Sequence, residues 1–176
     1  MYKQTQTNRN GKIQMTTSKA FKMIDNEIAK KMPTGDDGFN LEKAGLYGIH
    51  EFADGGAIAI KESDNGDVYE LLANLNNVVK LIPYDGFGIV TVGWAAPIAK
   101  DLDDFDGPPS QHPAKRRVRL FCYCNAQGEV SSSIRFKDDD EVTYDENQAT
   151  GSLKEAMTVM FKDKKDATKA FKAFQN

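Results

Sequence analysis

The run from Arg116 to Phe136 constrains the fold more than any other part of this chain. Arg116–Cys124 and Glu129–Phe136 both alternate at period two, and Asn125-Ala126-Gln127-Gly128 between them is a turn. On the first strand Val118, Leu120, Cys122 and Cys124 share one side; on the second Val130, Ser132, Ile134 and Phe136 do. These are the expected core sides. Arg117, Arg119, Phe121 and Tyr123, with Ser131, Ser133 and Arg135, occupy the opposite face. A chain with such a hairpin builds a sheet, and helical periodicity elsewhere makes the class α+β.

Phe87–Trp94 is a second strand, β-branched and too uniformly apolar to keep a wet face, which suits the middle of a sheet. Gly55-Gly56 opens a shorter one over 57–61. Helices are expected over 16–32, where Phe21, Ile24, Ile28 and Met32 fall on one face, and over 67–81, with Asp67 as N-cap and Pro83 as stop. A short helix is expected over 41–47. At the C-terminal end Ser152-Leu153-Lys154-Glu155 reads as a capping box ahead of Met157 and Met160. Asp163 is the expected cap of a separate last helix carrying Ala167, Ala170, Phe171 and Phe174. Residues 1–15 are polar and aperiodic and read as a flexible arm, with Met15 an alternative start; 16–176 read as one domain. The expected architecture is a small mixed or antiparallel sheet packed by amphipathic helices.

Composition narrows the chemistry. The 176 residues carry 26 acids and 23 bases, a net charge of -3, which excludes a histone-like surface and leaves room for a local basic patch. Two cysteines exclude a disulfide scaffold and an all-cysteine zinc site, and two histidines disfavour a His-rich one. No apolar leader follows the polar start, and the longest apolar stretch, 86–99, is too short and too interrupted to span a bilayer. A soluble, cytoplasmic, reduced protein without a membrane partner is the expectation.

The familiar catalytic patterns fail on inspection. Cys122 and Cys124 point the same way from one strand and have no CxxC or HxH partner, so buried core thiols are expected. His50-Glu51 lacks the spacing of a deaminase element. Gly93-Trp94 is followed by Ala95-Ala96 where a JAMM metalloprotease has two histidines. Asp101, Asp103, Asp104 and Asp106 are out of register for a calcium loop, which needs an acid where Phe105 stands. No Walker or GxSxG pattern is present. A composite metal-dependent hydrolase site from His50, Glu51, His112 and one of the aspartates is one alternative.

The remaining signal is basic. Lys115-Arg116-Arg117-Val118-Arg119 continues across the hairpin as Arg135 and Lys137. Arginines beside Phe121 and Tyr123 on one sheet face have the chemistry to stack bases and hold phosphates, or to dock an acidic partner, or to lie under a helix with charges at its rim. An RNP1 pattern is absent. Acidic runs at 101–106 and 138–146 would repel a phosphate backbone, so nucleic acid is not the favoured partner.

Gly93-Trp94-Ala95-Ala96-Pro97, Pro109-Ser110-Gln111-His112-Pro113 and Arg116-Arg117-Val118-Arg119-Leu120, with Thr150-Gly151-Ser152-Leu153, resemble segments of small uncharacterised proteins of actinobacteria and their phages. The similarity covers about the C-terminal half and implies no activity; it marks the connection from Trp94 to Lys115 as the distinctive surface. The resulting expectation is a non-enzymatic accessory or interaction protein of bacterial or phage type. It acts through the 94–119 surface, with Trp94, His112, Arg116, Arg117, Arg119, Phe121, Tyr123 and Arg135 as candidate contacts. Its partner is a protein, self-association is among the expected interactions, and no catalytic residue, metal or cofactor is implied.

Overall fold

The computed structural model describes residues 19–96, 106–147 and 149–176, together with two short strands, β1 (Thr5–Thr7) and β2 (Ile13–Met15). These two pair antiparallel with each other, Thr5 opposite Met15, within the stretch read from the sequence as a flexible arm. The rest of that arm lies outside the described residues.

The body is an antiparallel six-stranded sheet in the order β4-β3-β5-β6-β7-β8, and the α+β expectation holds. Its strands are β3 (Ala44–Glu51), β4 (Ala57–Asn65), β5 (Gly86–Ala95), β6 (Arg116–Cys124), β7 (Val130–Phe136) and β8 (Val142–Asp145). The β6–β7 hairpin forms as its alternation requires. Gly128 takes the left-handed φ of 81° that closes the turn, and the Asn125 side chain accepts from the Gln127 and Glu129 amides, each at 3.0 Å. β5 lies inside the sheet, between β3 and β6, as its apolar run demands.

Helices cover both faces. One face, with Leu46, Phe87, Ile89, Cys122, Cys124 and Val130, is packed by α2 (Val68–Ala73), α3 (Leu75–Lys80) and α4 (Ser152–Gln175) through Leu71, Leu72, Val78, Met157 and Met160. The other face, with Tyr47, Ile49, Val90, Phe121 and Tyr123, is packed by α1 (Lys19–Lys31) through Phe21, Ile24 and Ile28. Each such side chain taken from water contributes about 1.5–3 kcal/mol before chain entropy is subtracted. Along the free side of β4, the Lys31 and Lys80 ammonium groups donate to the carbonyls of Ala59 and Glu62, which blunts an edge that would otherwise recruit another strand.

Four local expectations are corrected. Leu41–Tyr47 is not helical: β3 begins at Ala44, because its residues are claimed by strands on both sides. The strand opened by Gly55-Gly56 runs on to Asn65. The helix over 67–81 is two helices broken at Asn74. Asp67 caps the first as expected, accepting from the Tyr69 amide at 2.8 Å, and Asn74 caps the second, accepting from the Asn76 amide at 2.9 Å. The C-terminal pair is one 24-residue helix with Asp163 inside it. Its capping box is not made: Gly151 is the N-cap, and the Ser152 hydroxyl pairs with the Tyr69 hydroxyl at 2.7 Å. A tertiary partner outcompeted the local cap.

Candidate interaction surface

The aromatic part of the hairpin's arginine and aromatic face is not open to solvent. Alternation places Phe121, Tyr123 and Ser133 on the side where α1 lies, and the α1 stripe covers them. The Phe21 ring stacks against Phe121 at 6.2 Å and Tyr123 at 6.3 Å between centroids. Phe121 and Tyr123 are therefore core residues, and the expectation that they belong to an exposed contact surface is corrected.

Burying this face leaves Arg135 facing a helix, and α1 answers with Asp25, one residue after Ile24 on the same apolar stripe. Asp25 is buried; its carboxylate accepts from the Ser133 hydroxyl, the Arg135 guanidinium and, at 3.1 Å, the Tyr144 hydroxyl. Three donors on one buried carboxylate satisfy a charge that would otherwise be costly there. No sequence motif singles out Asp25. The signal was present: an acid inside the apolar stripe of an amphipathic helix asks for a buried cation.

The other arginines are also engaged. Arg119 stands directly opposite Arg135 in the register, donates to the Gly38 carbonyl at 3.2 Å and lies over the Phe39 ring at 5.2 Å. Burial, and then the Arg135 charge beside it, hold its guanidinium below the usual arginine range. Arg117 donates to the Phe39 carbonyl at 2.8 Å, so the 3-10 turn Gly35–Phe39 is fastened across the end of β6 by two arginines. Arg116, on the opposite side of the strand, makes a forked contact with Asp138 at 2.6–3.1 Å and lies over the Phe136 ring at 4.0 Å. Lys137 pairs with Asp36 at 3.4 Å. A cleft of about 400 Å³ remains between this turn and the β7–β8 connection, lined by Met32, Phe39, Arg119, Phe136, Lys137 and Asp139 among others.

Trp94 is the exposed member of the group. It sits opposite Arg117 near the end of β5 and is 40% exposed. The Lys115 ammonium lies 4.8 Å from its ring centre and the Arg117 guanidinium 5.1 Å. Both cations are anchored, Lys115 on the Ser110 carbonyl at 2.7 Å and Arg117 on Phe39. This arrangement presents an indole plane inside a positive field, suited to an acidic or aromatic segment.

The histidines do not assemble a site. His112 is buried, its Nδ1 accepting from the Ala114 amide at 2.9 Å, four residues ahead of Arg116, which pairs with Ala95 at one end of β5. His50 adjoins Ile49, which pairs with Gly86 at the other end. Nine strand steps, ~30 Å, separate those two ends, so the composite His50–Glu51–His112 arrangement is not formed. Among the described residues no group of three metal-ligating side chains exists. Asp101, Asp103 and Asp104 lie outside the described residues; Asp106 is exposed. Cys122 and Cys124 are free and buried, and burial pushes both thiols up to about 12, so neither is a thiolate nucleophile near neutrality. No helix among the described residues is long and apolar enough to cross a membrane. Compared with family models, curated proteins and solved structures, the chain matches none.

Proposed function

We propose that this chain is a non-enzymatic interaction protein that binds an acidic segment of another protein through Trp94, Lys115 and Arg117. The observation that carries the reading is the half-exposed indole with two anchored cations over its ring at the end of the sheet. Aromatic and arginine side chains of this kind dominate binding energy where they sit preorganised at a surface. The free, buried thiols suit a reducing cytoplasm, and the resemblance of the 93–120 segments suits a bacterial or phage setting. Nucleic acid is a poorer fit, because the rings that would stack bases lie under α1 and the arginines beside them hold carbonyls and carboxylates.

Trp94 is the only tryptophan in the chain, so its fluorescence reports this surface directly. A photo-crosslinking residue placed at Trp94 should capture one protein in cells that the same residue at Tyr69 does not. That protein, purified, should shift Trp94 emission in native chain and lose at least tenfold in affinity for Arg117→Glu. Identical capture at both positions, or a salt-sensitive shift with single-stranded DNA at micromolar protein, would overturn the reading.

A further inference from the structure

At the opposite end of the sheet the molecule leaves two apolar features uncovered. The first is on β4. Ala57 and Ala59 point under α1, so alternation sends Ile58 and Ile60 to the other face, where they remain 48% and 43% exposed, with Phe52 beside them in the β3–β4 turn. Tyr84 and His50 form the floor next to them. The Tyr84 ring lies flat on Gly48, where a Cβ would meet ring atoms at 2.4 Å, and His50 packs on it at 4.6 Å. Asp54 and Asp85 are exposed at the Phe52 end of this patch, and the Lys31 ammonium lies along its free edge on the Ala59 carbonyl.

The second feature is the end of α4. Its core stripe runs Met157, Met160, Lys164, Ala167, Phe171, Phe174, spaced alternately three and four residues apart, the repeat of a helix with one continuous partner. Met157 and Met160 are fully buried against the sheet, and Lys164 is buried where it feels the Asp85 carboxylate. Beyond Ala167, which still packs on the core, the stripe is open among the described residues: Phe171 is 50% and Phe174 96% exposed. Residues 168–175 extend the helix by ~12 Å. Lys165 and Lys172 run along one flank of the stripe, seven residues apart.

The geometry points to a two-fold dimer in which the end of α4 from each copy lays Phe171 and Phe174 on the Ile58–Ile60 patch of the other. A second copy fits on three counts. The Phe52 end of the patch carries Asp54 and Asp85 and the helix end carries Lys165 and Lys172, so these two ends are opposite in charge. Both lie toward the Asp85 end of the sheet, so one two-fold operation makes the contact twice and closes the assembly. The exchange also covers the exposed apolar groups of both features, which a lone chain leaves in water.

Sedimentation of the full chain across micromolar to hundreds-of-micromolar concentrations tests this. The expected result is a species of twice the 19.5 kDa chain mass. Phe174→Glu and Ile58→Glu, both at exposed positions, should each raise the dissociation constant at least tenfold with an unchanged circular dichroism spectrum. Added salt should weaken the native dimer. An equimolar mixture of the two variants should associate more than either alone, because one native helix end then meets one native patch. A chain that stays monomeric overturns the proposal. So does loss with Phe174→Glu but not Ile58→Glu, which would mean that helix ends pair with each other, and so does a mixture no better than its components.

Discussion

The two ends of β5 treat exposed side chains in opposite ways. At the Trp94 end four arginines and two lysines gather, yet Arg116, Arg117, Arg119, Arg135 and Lys137 each hold a carbonyl or carboxylate of the same chain, and the 3-10 turn is strapped over them. At the Gly86 end the exposed groups include Phe52, Ile58, Ile60, Phe171 and Phe174, which have no hydrogen bond to satisfy and so no local partner to seek. Polar groups near a sheet end are costly until paired, so the chain supplies their partners itself. Apolar groups tolerate water singly, so exposed ones need no partner within the chain.

The comparison breaks first at Asp25. If internal pairing closes the arginine end, Asp25→Ala strands Arg135 against α1 and removes the acceptor of Ser133 and Tyr144. The expected loss is about 3 kcal/mol in urea unfolding, at the low end for a broken buried pair because Arg135 reaches solvent. A loss below about 1 kcal/mol would mean that the end is held by something else.

At the Gly86 end the corresponding test is Gly48→Ala. The new methyl meets the Tyr84 ring, which has to lift from β3 and leave its contacts with Glu62 and His50. The expected cost is about 1–3 kcal/mol, and it should largely vanish in a Tyr84→Ala background. An additive double variant would show that the ring does not depend on that glycine.

The smallest effect sharpens the contrast between buried and exposed. Both thiols lie in the core that joins the two ends, their folded values pushed from 9.0 up to about 12. A raised folded value means that stability is complete below pH 9.0 and is lost as pH climbs from there toward 12. Each thiol should cost about 1 kcal/mol between pH 9 and 10. The slope is to be read as the difference between native chain and the Cys122→Ala, Cys124→Ala double variant, since Tyr84 also has a raised value, about 12. Equal slopes in both would mean that solvent reaches the sulfurs.

Elements whose character is local were legible before the fold was known. Alternation in Arg116–Phe136, the apolar run of β5, the stripe of α1 and the Asp67 cap each contain their own cause, and the structure has all four. The arrangement at the hairpin, arginines at the rim of a covering helix, is one of three that its sequence allows; periodicity identifies a face without saying what lies on it. The misses share one reason. Ala44–Tyr47 turned to strand because β4 and β5 flank it, Ser152 left its cap for Tyr69, and Asn74 broke a helix whose apolar spacing runs through it.

The chain's own pattern therefore determined that there is a sheet, which residues share each of its sides, and that amphipathic helices cover it. Only the tertiary structure decided that Phe121 and Tyr123 lie beneath α1 rather than in solvent, that Asp25 neutralises Arg135, that His50 and His112 stand at opposite ends of β5, and that the α4 stripe continues past the core into water. The physical reason is range. Period and capping act over a few residues of one segment. Burial, charge pairing and the reach of a helix depend on which distant segment arrives opposite, such as the 110 positions between Asp25 and Arg135.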